Sequence, residues 1–193
     1  MLGNHIETFI ENIKNGNIEL YNEAGLQHEL GYFLRCKNIQ TKFEYNTNKI
    51  FRFDDEILKK ELDLYIKEKD EQYCIELKFP NKGAYLRRMT QAIIDIFFLQ
   101  QLVNNGFKKG YFLFITELSA FKNGNEIDGI YSYFRNSKPL REFCCQDIPQ
   151  FMLDKEAKKL YSLIDLNKIE LKGEYKIAFK NFDSYYYFLI IID

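Results

Sequence analysis

The chain has no tryptophan, only two histidines and only three prolines in 193 residues. With so little proline, and no Gly/Ser-rich or low-complexity tract, no segment reads as a linker. One domain over residues 1–193 is therefore expected. His5 and His28 are not spaced for a metal cluster or a catalytic triad. No phosphate-cradling or dinucleotide-binding glycine string is present. Four cysteines, Cys36, Cys74, Cys144 and Cys145, form no C-x-x-C pair and no zinc-finger spacing, so reduced and mostly buried thiols in a cytoplasmic protein are expected. The N-terminus lacks the basic flank and apolar run of a secretory signal. The longest apolar run, Tyr185 to Ile192, is far too short to span a bilayer, so no membrane association is expected.

What is abundant is ordinary for a globular protein, with 46% hydrophobic and 28% charged residues. Aromatics reach 17%, all Phe and Tyr. A chain of this length buries about two-thirds of its unfolded surface and needs no covalent staple. The formal net charge of −1 leaves a polyanionic partner open, because carboxylates in a site can cancel lysines elsewhere. Local patches decide that question.

Apolar periodicity predicts a helix over 4–14 (Ile6, Phe9, Ile10, Ile13) and a second over 22–35. The second is capped by Asn22 and carries a Leu26/Leu30/Phe33/Leu34 stripe. A strand is expected over 38–47, continued or paired by 49–54. Residues 61–67 alternate with Leu62, Leu64 and Ile66 on one face. Residues 72–79 alternate with Tyr73, Ile75, Leu77 and Phe79 on one face, and the polar stretch 67–71 joins the two as a hairpin. A long, largely buried helix follows over 85–104, stopped by Asn104-Asn105-Gly106. Then come a strand over 109–116, a short helix near 130–134, a helix over 154–164, and two strands, 169–180 and 184–192. The order helix, strands, helix, strand predicts an α/β fold, a mixed central β-sheet flanked by helices, with a C-terminal β-hairpin extension.

The hairpin carries the chemistry. Residues two apart in a strand share a face, so Glu76 and Lys78 point together, away from Leu77. A turn centred on Lys69-Asp70 sets Asp63 across from Glu76, and Glu61 across from Lys78. Like charges facing each other across a sheet are unfavourable, and a hard divalent cation supplies the reason to keep them, since Mg²⁺ is content with one or two carboxylates plus water and phosphate oxygens. Lys78 beside such a cation can steady a pentavalent phosphate and orient or deprotonate an attacking water.

Asp63, a twelve-residue gap and then Glu76-Leu77-Lys78 on adjacent strands resemble the PD-(D/E)XK phosphodiesterase superfamily of restriction endonucleases, junction resolvases and repair nucleases. Leu62 stands where the motif's proline would be. The resemblance implies a restriction-endonuclease-like core and a metal-dependent nuclease acting on nucleic acid, DNA foremost. It implies Mg²⁺, with Mn²⁺ able to substitute, held by Asp63, Glu76 and the Leu77 main-chain carbonyl. It further implies an acidic ligand from the helix before the sheet. Glu23, which projects within the apolar stripe, ranks ahead of Glu29 at its margin, and Glu23 with Gln27 resembles the opening of the VRR-type nucleases. Gln91, on the helix after the lysine strand and on one face with Arg87 and Asp95, is the expected partner of a water or phosphate.

Two stretches without acidic residues, 77–94 and 129–141, hold Lys78, Lys82, Arg87 and Arg88, and Arg135, Lys138 and Arg141. They are the expected nucleic-acid surface, with Lys82, Arg87, Arg88, Arg135 and Lys138 on phosphates and Tyr131, Tyr133 and Phe134 as stacking aromatics. The C-terminal strands extend the sheet or form a homodimer surface. Other readings stay open here: Glu23 as a first-turn charge only, the aromatics of 129–141 as core, 61–79 as a solvated surface hairpin, and a non-catalytic nucleic-acid-binding or regulatory module that retains the nuclease fold.

Overall fold

Side-chain caps start two of the helices. In the computed structural model, which describes residues 2–50, 57–144, 146–150 and 154–193, the Asn22 carboxamide accepts the Gly25 N–H at 2.6 Å and Asp154 accepts the Ala157 N–H at 2.9 Å. These caps satisfy N–H groups that a helix start leaves without partners. They open α2 (Glu23–Cys36) and α5 (Lys155–Asp165); α1 is Leu2–Lys14, α3 Tyr85–Asn104 and α4 the single turn Tyr131–Arg135. The strands are β1 (Gln40–Asn46), β2 (Glu61–Glu68), β3 (Glu71–Lys78), β4 (Lys109–Thr116), β5 (Lys180–Phe182) and β6 (Tyr185–Ile192).

Among the described residues these strands form one mixed sheet in the order β1-β2-β3-β4-β6-β5. β3 and β4 are parallel and the other pairs antiparallel. Parallel neighbours need a crossover, and α3 supplies it. Each face of the sheet carries its own core. Leu64, Ile66, Ile75, Leu77, Leu113 and Ile115 pack under α1 and α2. Cys74, Phe112, Phe114, Phe188 and Ile190 pack under α3, α4 and α5. α3 lies buried along most of its length, as its all-round apolar sequence predicts. No described helix is long and apolar enough to cross a membrane.

The structure corrects several expectations. Leu62 does not share a face with Leu64 and Ile66. Phe43 and Leu64 pack on one core, Tyr45 and Leu62 on the other. The residues between them, Glu44 and Asp63, carry no ladder pair, and Glu44 has φ +44°. The alternation therefore inverts at Asp63. Nor does the hairpin register run on to set Glu61 opposite Lys78. Glu61 pairs with Asn46 of β1 and Lys78 with Phe114 of β4.

Of the expected strand 169–180 only Lys180, which opens β5, is strand, and residues 169–179 are not. Their backbone bonds go elsewhere. Lys172 N–H donates to Gln100 Oε1, Tyr175 C=O accepts from Leu140 N–H, and Ile177 C=O accepts from Ser137 Oγ. Leu171 and Ile177 are thereby laid into the α3-side core. Of the expected strand 49–54, residues 51–54 lie outside the described residues, as does Cys145; Thr47–Lys49 is a single 3₁₀ turn. The cysteines are not mostly buried: Cys74 is, while Cys36 and Cys144 are exposed.

Candidate functional site

Where β2 and β3 part, side chains take over from the ladder. The backbone pairing of the two strands ends at Leu64↔Ile75, one step before Asp63 and Glu76. There the Asp63 N–H donates to Glu76 Oε1 at 3.4 Å, Asp63 Oδ2 accepts the Leu77 N–H at 2.8 Å, and the Asp63 carbonyl accepts from Gln27 Nε2 of α2 at 2.8 Å. The inversion of β2 at Asp63 frees these groups from ladder bonding, and a break in regular pairing re-aims a side chain in this way.

Glu76 is fully buried and Lys78 is 7% exposed, which overturns the solvated-hairpin reading. They meet two residues from distant parts of the chain. The Lys59 ammonium contacts Glu76 Oε2 and lies 2.7 Å from Asp95 Oδ1. The Lys78 ammonium lies 2.8 Å from Asp95 Oδ2 and 3.5 Å from Glu23 Oε1, and it donates to the Leu77 carbonyl at 3.0 Å. Glu23 Oε2 accepts the Phe79 N–H at 3.1 Å, so the first turn of α2 is tied to the end of β3. Four carboxylates, Glu23, Asp63, Glu76 and Asp95, thus gather around two ammonium groups.

Positive charge is unevenly shared among them. Asp95 touches both lysines, Glu76 touches one, and Asp63 makes no ion pair among the described residues. Their protonation equilibria follow burial as well as pairing. Against its burial, Lys59 and Lys78 hold Asp95 below the usual carboxylate range. Burial, then Asp63, pushes Glu76 well above it. Burial also pushes Asp63 up, with Lys78 and Lys59 pulling the other way. Against their own burial both lysines are held above an ordinary lysine, chiefly by Asp95. Lys78 is therefore an ammonium suited to orienting water or steadying negative charge, not to accepting a proton.

A cleft of about 160 Å³ opens over this cluster, lined by Glu23, Lys59, Lys78, Arg88, Gln91 and Asp95 among others. Arg88 donates to Gln91 Oε1 at 3.2 Å. A wider cleft of about 440 Å³ shares Lys59 and Glu156 with the first and adds Lys60, Lys155 and Lys159. Among the described residues, no three His, Cys, Asp or Glu groups converge as a ready metal cage.

Glu23, Asp63, Glu76, Leu77, Lys78, Arg88 and Gln91 are brought together, whereas Glu29 is exposed and makes none of these contacts. Lys82 and Arg87 are exposed on the approach to α3 and on its first turn. Arg135 and Lys138 do not line either cleft. The Arg135 guanidinium is turned inward to the Ala120 and Glu126 carbonyls, and Lys138 lies 3.7 Å from Asp147. Tyr133 and Phe134 are core residues, as that alternative for 129–141 has it, while Tyr131 packs against this core only partly buried.

Sequence reasoning missed Lys59, Asp95 and Glu156. Asp95 had a signal, an acid on the Gln91 face of an otherwise apolar helix. Lys59 had none, because it precedes β2 in irregular chain where no periodicity assigns a direction. No protein-family model, curated protein or solved structure matches the chain.

Proposed function

We propose that the chain is a metal-dependent nuclease that hydrolyses phosphodiester bonds of nucleic acid, DNA foremost, by attack of water, and that its α/β sheet is a restriction-endonuclease-like core of the PD-(D/E)XK kind. One observation carries this reading. Two neighbouring carboxylates, Asp63 and Glu76, are bonded to each other's strand at the end of the central hairpin, beside the Lys78 ammonium, which lines the smaller cleft.

The donor set fits a hard divalent cation. Mg²⁺ asks for one or two carboxylates with water and substrate oxygens, so a cage of three protein groups is not required. Asp63, Glu76 and the Leu77 carbonyl would hold it, with Glu23 joining directly or through water and Mn²⁺ able to substitute. The Leu77 carbonyl accepts from Lys78 and keeps a second lone pair. The bound cation supplies Lewis-acid polarisation of the phosphoryl oxygen and a more acidic water.

The chain's own residues do the rest. Lys78 stays charged and faces the developing negative charge at phosphorus. Gln91, steadied by Arg88, offers its amide N–H groups to a water or phosphate oxygen. Lys60, Lys155 and Lys159 line the wider cleft and suit a phosphate backbone. Gln27 fixes the Asp63 backbone from α2.

A second reading is favoured by the Lys59 pairs with Glu76 and Asp95: a non-catalytic nucleic-acid-binding or regulatory module, in which the ion cluster is structural. Incubation with plasmid, linear and single-stranded DNA and with RNA, in Mg²⁺ or Mn²⁺, separates the two. Cleavage that needs metal and is lost in Asp63→Asn and Lys78→Ala supports the nuclease. Binding without cleavage under every condition supports the module, and cleavage that survives both substitutions puts the active site elsewhere.

A further inference from the structure

We infer that Lys59 is a resident counter-ion of the metal site, holding Glu76 in the metal-free protein and competing directly with the divalent cation for that carboxylate. The inference rests on the metal reading of Asp63 and Glu76 above.

Glu76 Oε1 faces the Asp63 N–H at 3.4 Å, and a cation placed there would meet the positive end of that N–H dipole. Glu76 Oε2 is the oxygen without a backbone donor, and the Lys59 ammonium sits on it. A cation that bridges Glu76 to Asp63 therefore has to take Oε2 from Lys59.

Lys59 can yield Glu76 without losing all compensation. Its ammonium is also bonded to Asp95 Oδ1 at 2.7 Å, and Asp95 remains shared with Lys78 through its other oxygen. The side chain has room to move as well. Lys59 lines both clefts, and the larger one, about 440 Å³, lies on the side of Lys60, Lys155 and Lys159. Glu156 lines both and stands as a further anionic neighbour.

A lysine kept only for stability would sit equally well without this arrangement. What distinguishes Lys59 is that it occupies a carboxylate oxygen that the metal reading requires to be available. In the metal-free chain Lys59 limits the repulsion between Glu76 and its acidic neighbours. In the loaded chain its release sets the cation concentration at which the site fills.

The test is calorimetric titration of Mn²⁺ and of Mg²⁺ into the full chain without nucleic acid, beside thermal melts with and without cation. Lys59→Met is expected to bind the cation about tenfold or more tightly than the unsubstituted chain. Its metal-free Tm is expected to fall, and the cation to restore it. Lys59→Arg, which keeps the charge in place, is expected to bind no more tightly than the unsubstituted chain. Equal or weaker binding by a folded Lys59→Met overturns the role of Lys59 while leaving the metal site intact. If neither chain binds either cation, the metal reading falls together with this one.

Discussion

The Asp63 N–H donates to the Glu76 carboxylate while the Asp63 carboxylate accepts the N–H of Leu77, the next residue along from Glu76. The two acids are cross-strand neighbours joined through side chains at the point where the ladder between their strands stops. Glu76 is fully buried and paired with Lys59, whereas Asp63 is half-buried and makes no ion pair among the described residues.

Glu76 gives a stability signature with a definite sign. Its carboxyl is raised above the usual range by burial and Asp63, so Glu76 takes up a proton more readily in the folded chain than in the unfolded one. Stability from this group is then highest at acid pH and falls as pH rises through the raised value. Glu76→Gln is expected to raise the metal-free Tm at neutral pH by a few degrees, on a scale of about 2–4 °C per kcal/mol at this chain length. The difference should shrink near pH 4, and Mg²⁺ should raise the Tm of the unsubstituted chain but not of the variant. Thermal melts across pH check this. A variant less stable at neutral pH would show that the ionised Glu76–Lys59 pair contributes net stability.

Asp95 has the opposite sign. Lys59 and Lys78 hold it below the usual carboxylate range against its burial, so it contributes stability at neutral pH that is lost as pH falls through its lowered value. Asp95→Asn leaves two buried ammonium groups short of a partner and is expected to cost about 3–5 kcal/mol. Urea unfolding at pH 7 and pH 3 measures it, with most of the difference confined to the higher pH.

Glu23 has two separable roles. Its Oε2 accepts the Phe79 N–H and its Oε1 faces Lys78. Glu23→Gln keeps an acceptor for Phe79, whereas Glu23→Ala keeps none. If Glu23 is a metal ligand, both variants weaken Mn²⁺ binding and only the alanine variant also loses about 1–3 kcal/mol of stability. Unchanged Mn²⁺ affinity in the glutamine variant would reduce Glu23 to a tether between α2 and β3.

The basic residues divide by location. Lys155→Glu with Lys159→Glu, on the wider cleft, is expected to weaken nucleic-acid binding and flatten its salt dependence, each phosphate contact contributing about 0.9 to the logarithmic slope on duplex DNA. Arg135→Ala is expected to leave binding unchanged and to cost about 1–3 kcal/mol of stability, because its guanidinium holds the Ala120 and Glu126 carbonyls. Filter binding at several salt concentrations, paired with denaturant melts, separates the two. Loss of binding in Arg135→Ala would restore the 129–141 stretch as a contact surface.

Much of this protein is legible from local pattern. Periodicity alone placed α3 and β4, Asn22 announced the start of α2, and the short polar turn fixed the register of the hairpin. That register is right through Leu64↔Ile75 because period-two alternation with one buried face tolerates no slip. The Asp63, Glu76 and Lys78 cluster was visible for the same reason, as all three lie on one hairpin.

Tertiary structure decided what no local period encodes. Alternation inverts at Asp63, so Leu62 enters the other core. Residues 169–179 leave the sheet because Gln100, Ser137 and Leu140 satisfy their backbone. Asp95 and Lys59 complete the cluster from α3 and from irregular chain before β2. Strand and helix periods state which way a side chain points within its own element. They do not state which charge from elsewhere will meet it, and in a buried cluster that meeting determines whether a carboxylate is paired, protonated or ready for a cation.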